Sequence, residues 1–418
     1  MHGMGELTVI GYSGAELGEE ACAALKAATL VVGGARNLAA VPVPEGVRTI
    51  RLGALEPAID SLSRHEGHAV VVASGDPGFF GAVRRLRAGG LEIDRVIPAV
   101  SSVAAAFAAV RLDWDDAAVV SAHGGESNMQ RSLRRAVNAC LAHPKVAVLT
   151  GPRATPRDLA KALLAAGLKA NERVIWVAEQ LGTDDERVLS FDLAEAAKFR
   201  TEEPNVVLCL APVLTRESSG WLAGARSGGL TAGEAPAVAL PDEAFEFRDG
   251  QITKQETRSL VVAQLWPKFG DLIWDLGAGS GSVGIECARR GAAVLAVERD
   301  EESCERIRRN AAKHGGTGLY ICTGDAADLA TRLPDPDAVF IGGGGIDVLR
   351  MVLDRRPPRL VATFTSLERA SSVLPMLASH GYAADGMLHQ ASRFAALPDG
   401  THRLAAQNPV FIVWGVLL

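Results

Sequence analysis

Short apolar runs separated by stretches of helical period cover the first half of the chain. Leu7–Ile10 predicts a strand and Leu17–Ala28 a helix. Leu30–Val32, Ala69–Ala73, Arg95–Ile97, Val146–Leu149, Val174–Val177 and Val206–Leu210 predict further strands. An Ala-rich helix ends near Val110, and another runs over Pro156–Ala166. Strands alternating with helices predict an α/β sheet with parallel members.

The pattern breaks over residues 215–238, where small, polar and glycine residues predict a linker. It resumes with strands at Leu272–Asp275, Ala293–Glu298, Leu319–Cys322, Ala338–Ile341, Arg359–Thr363 and Val410–Val416. Helices are expected at Val283–Arg290 and Glu301–His314, and a hairpin or loop at Leu397–Thr401. The expected division is a domain over 1–214, a linker over 215–238 and a domain over 239–418.

Polar and glycine-rich loops follow several of these strands, where α/β proteins bind ligands. Asp275-Leu-Gly-Ala-Gly-Ser-Gly281 lies between a strand and a helix. Its glycines permit a sharp turn and close backbone approach, and the helix start offers free N–H groups. Glu298 ends the next strand, where an acid can accept ribose hydroxyls, and Asp325 with Ala326 follows the third. Asp275, Gly277, Ala278, Gly279, Ser280, Gly281, Glu298, Asp325 and Ala326 are therefore candidate cofactor residues. An acid just before the glycines resembles the S-adenosylmethionine form of this turn, and a nicotinamide dinucleotide is the alternative. Thr253-Lys-Gln-Glu256 reads as a capping box opening a helix that can cover the cofactor, which adds Thr253. Gly342–Gly345 permits another close-approaching loop.

In the first half, Gly11–Gly14, Ser74–Gly81 and Pro98–Ser102 are expected to form one cleft. Its candidate residues are Gly11, Gly75, Asp76, Pro77, Phe80, Ser101 and Ser102.

Composition narrows the class. Apolar residues make up 48% and charged residues 22%, as in globular chains. The net charge of −6 argues against a nucleic-acid coat, so no nucleic-acid partner is expected. Six cysteines without a C-x-x-C pair predict reduced thiols, a cytoplasmic protein and no metal site. No apolar run is long enough to span a bilayer, and the chain opens on a strand rather than a signal peptide.

Val9-Ile-Gly-Tyr12, Ser74-Gly-Asp-Pro77 and Pro98-Ala-Val-Ser-Ser102 resemble the tetrapyrrole methylases, although Gly11–Gly14 lacks that family's Gly-Pro-Gly. Leu240–Phe245, Ile252-Thr-Lys254, Gly277–Gly281 and Asn408-Pro409 resemble the cobalamin-pathway methyltransferase/decarboxylases. Together they resemble the fused precorrin-6Y methyltransferase family. The resemblance implies a two-lobed tetrapyrrole methylase fold followed by a Rossmann-like methyltransferase fold, in a homo-oligomer. It implies methylation of precorrin-6B at carbons 5 and 15, with decarboxylation of the ring C acetate to give precorrin-8. Such a substrate carries many carboxylates, so cations should line its pocket. Arg84, Arg85 and Arg87 are candidates in the first half, and His402 and Arg403 in the second. Arg258, His389 and Arg393 are the candidate catalytic residues. An RNA methyltransferase and a non-catalytic tetrapyrrole-binding protein are the competing readings.

Overall fold

The computed structural model describes residues 5–52, 56–123, 129–212, 239–343 and 345–418. The expected linker lies outside the described residues. The first lobe runs β1 (Leu7–Tyr12), α1 (Glu19–Ala27), β2 (Leu30–Gly33), α2 (Ala35–Ala40), β3 (Arg48–Arg51) and α3 (Glu56–Ser63). It closes with β4 (Ala69–Ser74), α4 (Ala82–Ala88) and β5 (Arg95–Ile97). All five strands are parallel, in the order β3-β2-β4-β1-β5. Such a sheet is covered on both faces, which is why its strands read as unbroken apolar runs. Val9 and Val71 point into one core, Ile10, Val70 and Val72 into the other.

The second lobe holds α5 (Ser102–Ala109), β6 (Ala118–Ser121), α6 (Met129–Ala142), β7 (Lys145–Leu149) and α7 (Pro156–Ala165). It continues through β8 (Val174–Glu179), β9 (Arg187–Asp192), α8 (Leu193–Ala196) and β10 (Asn205–Leu210). Its order is β6-β7-β10-β8-β9, and only β6 and β7 run parallel.

Beyond the linker come α9 (Gln255–Leu265), β11 (Leu272–Leu276), α10 (Ser282–Arg289), β12 (Ala293–Glu298), α11 (Glu301–Lys313) and β13 (Leu319–Thr323). Then follow α12 (Ala326–Ala330), β14 (Ala338–Ile341), α13 (Gly345–Asp354), β15 (Arg359–Phe364) and α14 (Leu367–Ser379). The last strands are β16 (Tyr382–His389), β17 (Ser392–Ala396), β18 (His402–Ala406) and β19 (Val410–Leu417). Seven strands form one sheet, β13-β12-β11-β14-β15-β19-β16, with β19 antiparallel to both neighbours. The chain leaves β11 towards β12 and β13, then returns to the other side as β14 and β15. That reversal is a topological switch point, which opens a crevice at the strand ends. The turn at 397–401 joins β17 to β18, a separate two-stranded hairpin.

Ile273 packs under α9 and α10, while Trp274 and Leu276 face the opposite side. On that side α6 of the second lobe packs against β12. One core cluster therefore runs from Val146 and Leu159 into Trp274 and Leu295. Polar contacts fix the register of this junction. Asp337 pairs with Arg134. It also accepts from Asn138 Nδ2 at 3.3 Å and from the Leu272 amide at 2.9 Å. Arg173 Nη2 donates to the Tyr320 hydroxyl at 2.9 Å, which donates to Leu141 O at 2.8 Å. Among the described residues no helix is long and apolar enough to cross a membrane.

Asp337→Ala leaves Arg134, Asn138 and the Leu272 amide without their shared acceptor. We expect a loss of about 1–3 kcal/mol in unfolding free energy. A denaturant melt checks it, and an Arg134→Gln, Asp337→Ala cycle with no coupling between the two sites would count against the junction.

Candidate functional site

The crevice above β11 and β14 has a volume of about 700 Å³. Its floor is the turn after β11. Gly277 has φ +72°, and a Cβ there would lie 2.8 Å from Gly343 Cα. The two glycine loops thus touch backbone to backbone at Gly277 and Gly343. Gly279, at φ +56°, would meet nothing within 4 Å, so its open side faces the crevice. Gly277, Ala278, Gly279 and Ser280 line the space with Glu298, Asp325, Ala326 and Thr253.

Glu298 Oε2 accepts the Gly279 amide at 2.9 Å and Oε1 accepts the Arg299 amide at 2.9 Å. Oε1 also accepts the Asp300 amide at 3.0 Å, so Oε2 is the oxygen that keeps a lone pair for a ligand hydroxyl. Asp325 caps α12, accepting the Ala327 amide at 2.8 Å. A glycine turn open to the crevice and two rim acids with spare acceptor capacity fit the ribose and amine groups of S-adenosylmethionine.

Two candidates of this set stand behind the surface. Asp275 is buried and accepts the Gly284 amide at 2.8 Å, fixing α10 against the turn. Burial pushes its carboxyl up to about 7, with the Gly284 amide pulling the other way. Its Oδ1 has no hydrogen-bond partner among the described residues. Gly281 begins α10 at φ +73°, where a Cβ would press 2.8 Å from the Ile307 side chain. Both residues shape the turn and do not line the crevice.

The expected capping box is a correction. The residue before α9 is Lys254, and it makes no side-chain cap. Asp242 takes that role from another segment, accepting the Gln255 amide at 2.8 Å. Thr253 is thereby free to face the crevice.

Arg258 does not reach the crevice either. It is fully buried, donating to Thr253 O at 2.6 Å and to Leu240 O, beside Asp242 and Glu286. Burial pulls its pKa down, and the two carboxylates oppose that. It ties the segment around Leu240 to that around Thr253, which lines the crevice. Arg393 forms a two-pronged pair with Glu256 at 2.7 and 2.8 Å and lies 3.4 Å from Asp242. That pair holds the Glu256 carboxyl down to about 2. Of the three catalytic candidates only His389 lines the crevice, and its Nε2 is shielded with no hydrogen-bond partner among the described residues. His402 and Arg403 stand exposed on β18 and contribute nothing to the lining.

Sequence reasoning missed the far wall. Thr363 and Phe364 end β15, Thr365, Ser366 and Arg369 follow it, and Gln407 and Asn408 precede β19; all line the crevice. Their signal was a polar run after an apolar strand, the same rule that found the other loops.

A second cleft, of about 480 Å³, opens between the first two lobes. The β1, β4 and β5 loops do converge. A Cβ on Gly11 would lie 2.5 Å from Gly75 O and 2.6 Å from the Ala99 amide. Gly14 approaches Gly182 of the second lobe just as closely: a Cβ on Gly14 would lie 2.0 Å from the Gly182 carbonyl oxygen. Gly75 and Ser102 line the cleft, whereas Gly11 packs beneath it. Asp76 turns inward on its own loop, accepting the Gly78 amide at 2.8 Å. Ser101 caps α5. Pro77 and Phe80 shape the loop, with Phe80 held at φ +53°. None of these four lines the cleft. Arg84, Arg85 and Arg87 are exposed on α4, away from it. Tyr12, Arg36, Asp184, Glu186 and Asn205 line it instead. The last three come from the second lobe, which the first lobe's sequence could not announce.

Comparison with known proteins adds the following. Residues 13–197 match the Tetrapyrrole (Corrin/Porphyrin) Methylases and residues 243–416 the Precorrin methyltransferase domain. A precorrin-6Y C(5,15)-methyltransferase [decarboxylating] of Sinorhizobium sp. is 38% identical over 81% of this chain and 78% of its own. One from Mycobacterium tuberculosis is 31% identical over 88% of each chain. A probable cobalt-precorrin-6B C(15)-methyltransferase (decarboxylating) of Pyrobaculum calidifontis is 32% identical over 42% of this chain and 93% of its own.

Two outcomes are expected. Gly279→Arg places a long side chain in the crevice at a strained φ. Calorimetry with S-adenosylmethionine should then lose one of two binding events; two intact sites would sink the assignment. The raised Asp275 pKa gives a stability contribution that is full below about pH 4 and lost as pH rises through about 7. Asp275→Asn removes that dependence, so its melting temperature relative to wild type should rise between pH 5 and pH 8. Parallel pH profiles for the two proteins would refute it.

Proposed function

Because the chain belongs to the decarboxylating precorrin-6Y C(5,15)-methyltransferase family, we propose that its two clefts serve one tetrapyrrole in turn. The protein is a methyltransferase of cobalamin biosynthesis and uses S-adenosylmethionine as methyl donor. The substrate is precorrin-6B, methylated at carbons 5 and 15 and decarboxylated at the ring C acetate to give precorrin-8. One observation carries the division of labour. The relative named for carbon 15 methylation and decarboxylation matches only 42% of the chain, a share that fits the Precorrin methyltransferase domain matched over residues 243–416. Carbon 15 and the decarboxylation therefore go to the crevice over β11 and β14, within a domain of residues 239–418. Carbon 5 goes to the cleft between the first two lobes, within residues 1–214.

When bound, S-adenosylmethionine supplies an electrophilic methyl group. The chain's own residues orient and shield. Glu298 and Asp325 hold the hydroxyl and amine groups at one end, and Thr253 with Lys254 closes over them. A reduced tetrapyrrole is itself an electron-rich carbon nucleophile, so alignment replaces a nucleophilic side chain. His389 is the proton-transfer group: the residue lines the crevice, and its Nε2 is shielded from solvent with no hydrogen-bond partner among the described residues. Protonation of the ring beside the acetate lets the ring accept the electron pair left by departing carbon dioxide. Arg258 and Arg393 act through the segments they hold.

The exposed cross-strand pair Phe394 and Leu404, 80% and 64% accessible, supports a homo-oligomer with the β17–β18 hairpin at an interface. Six free thiols support a cytoplasmic location. The acidic balance and the named relatives favour a tetrapyrrole over RNA as substrate.

Incubation with precorrin-6B and S-adenosylmethionine should give two methyl additions and loss of carbon dioxide by mass. A single methylation without that loss would sink the bifunctional reading. His389→Gln should keep cofactor affinity within about twofold while slowing decarboxylation about 100-fold. An unchanged rate of carbon dioxide release would remove His389 from that role.

A further inference from the structure

The arginine candidates of the C-terminal half do not line the crevice: Arg258 is sealed in the interior, Arg393 is tied to Glu256 and Arg403 is exposed on β18. The crevice still contains cations. Lys254 lies 3.9 Å from Asp242 and over the Phe247 ring. Arg299 follows Glu298 at the cofactor end. Arg369, in the first turn of α14, also lines the crevice, as do Thr365 and Ser366 after β15 and Gln407 and Asn408 before β19. Among the described residues no carboxylate lies within ion-pair distance of its guanidinium. It also occupies the first turn of α14, where the helix dipole disfavours a cation. Neither local helix energetics nor an ion pair explains an arginine there.

We propose that Arg369 is the specificity anchor of the C-terminal crevice, holding a carboxylate of the tetrapyrrole that the reaction retains. This deepens the reading of the crevice as the decarboxylating site and rests on it. A guanidinium is planar, always charged and matched to a carboxylate through two parallel N–H donors. The departing carboxylate cannot be the one it holds. Pairing that group with a cation would stabilise the ground state and oppose the flow of its electrons into the ring. The leaving acetate belongs at the uncharged part of the wall, near Asn408 and His389. Arg369 thus sets which way round the macrocycle sits: a retained acid on the arginine places the acetate by the histidine.

The test is Arg369→Gln and Arg369→Lys in the full chain, with precorrin-6B as the probe. Three quantities are read: KM and kcat for carbon dioxide release, the affinity of the cofactor-free protein for precorrin-6B by absorbance titration, and S-adenosylmethionine affinity by calorimetry. We expect KM to rise about tenfold in Arg369→Gln, with a matching loss of precorrin-6B affinity and kcat changed less than about threefold. Arg369→Lys should recover part of the loss, and raising the salt concentration should narrow the gap between wild type and Arg369→Gln. S-adenosylmethionine affinity should stay at the wild-type value in both variants, which also reports that the crevice is folded. Unchanged KM and precorrin-6B affinity in Arg369→Gln would overturn the proposal. So would a fall confined to kcat for carbon dioxide release, which would put Arg369 on the reacting carboxylate. Wild-type protein that binds the cofactor but releases no carbon dioxide from precorrin-6B would instead overturn the functional reading beneath it.

Discussion

At the switch point of the seven-stranded sheet, Gly277 packs so closely on the Gly343 backbone that a Cβ at Gly277 has no room. This contact brings the ends of β11 and β14 together and sets the depth of the crevice. The Gly279 amide then reaches the Glu298 carboxylate, and the open side of the turn faces the cavity. Asp275 works from below, tying the Gly284 amide so that α10 starts in the right place. A larger residue at Gly277 would part the loops and lose the floor on which the cofactor site rests.

Above that floor, a buried charge cluster shapes the cover. Arg258 lies between Asp242 and Glu286 and holds the carbonyls of Leu240 and Thr253. Burying an unpaired guanidinium would be costly, so the segment from 240 to 254 is held where its acceptors meet the arginine. Asp242 also caps α9 and touches Arg393, which ties the β17–β18 hairpin to the same cluster. Asn310 adds a further link, joining Ser280 O to the Glu246 backbone. The cover, the cofactor turn and the hairpin therefore share one set of hydrogen bonds.

The first two lobes solve a similar problem with other parts. Gly11, Gly75 and Ala99 let three strand ends crowd together, and Gly14 lets the opposite lobe approach at Gly182. The cleft between them belongs to both lobes. The junction with the C-terminal domain is apolar at its centre, with Asp337 and Tyr320 at polar points on it. One core cluster thus joins the second lobe to the C-terminal domain, while the first lobe keeps two clusters of its own.

What the sequence determined alone was local. Apolar runs buried on both faces announced most central strands, because parallel sheets need no polar alternation there. Edge and antiparallel strands such as β3, β9 and β16 escaped, since their residues are small, polar or half-exposed. The glycine turn with Glu298 and Asp325 was legible because its chemistry lies at fixed offsets from strand ends. Tertiary structure decided which charged groups meet solvent and which meet each other. Arg258 and Arg393 looked like substrate contacts, yet their partners Asp242, Glu286 and Glu256 take them up. Thr253 and Glu256 looked like a capping box, yet Asp242 caps the helix, Thr253 lines the crevice and Glu256 pairs with Arg393. Arg369, His389 and Asn408 come from three separate segments, and only the order β15-β19-β16 places them around one space. A side chain's partner across the fold is set by strand order and packing, and no spacing along the chain encodes that directly.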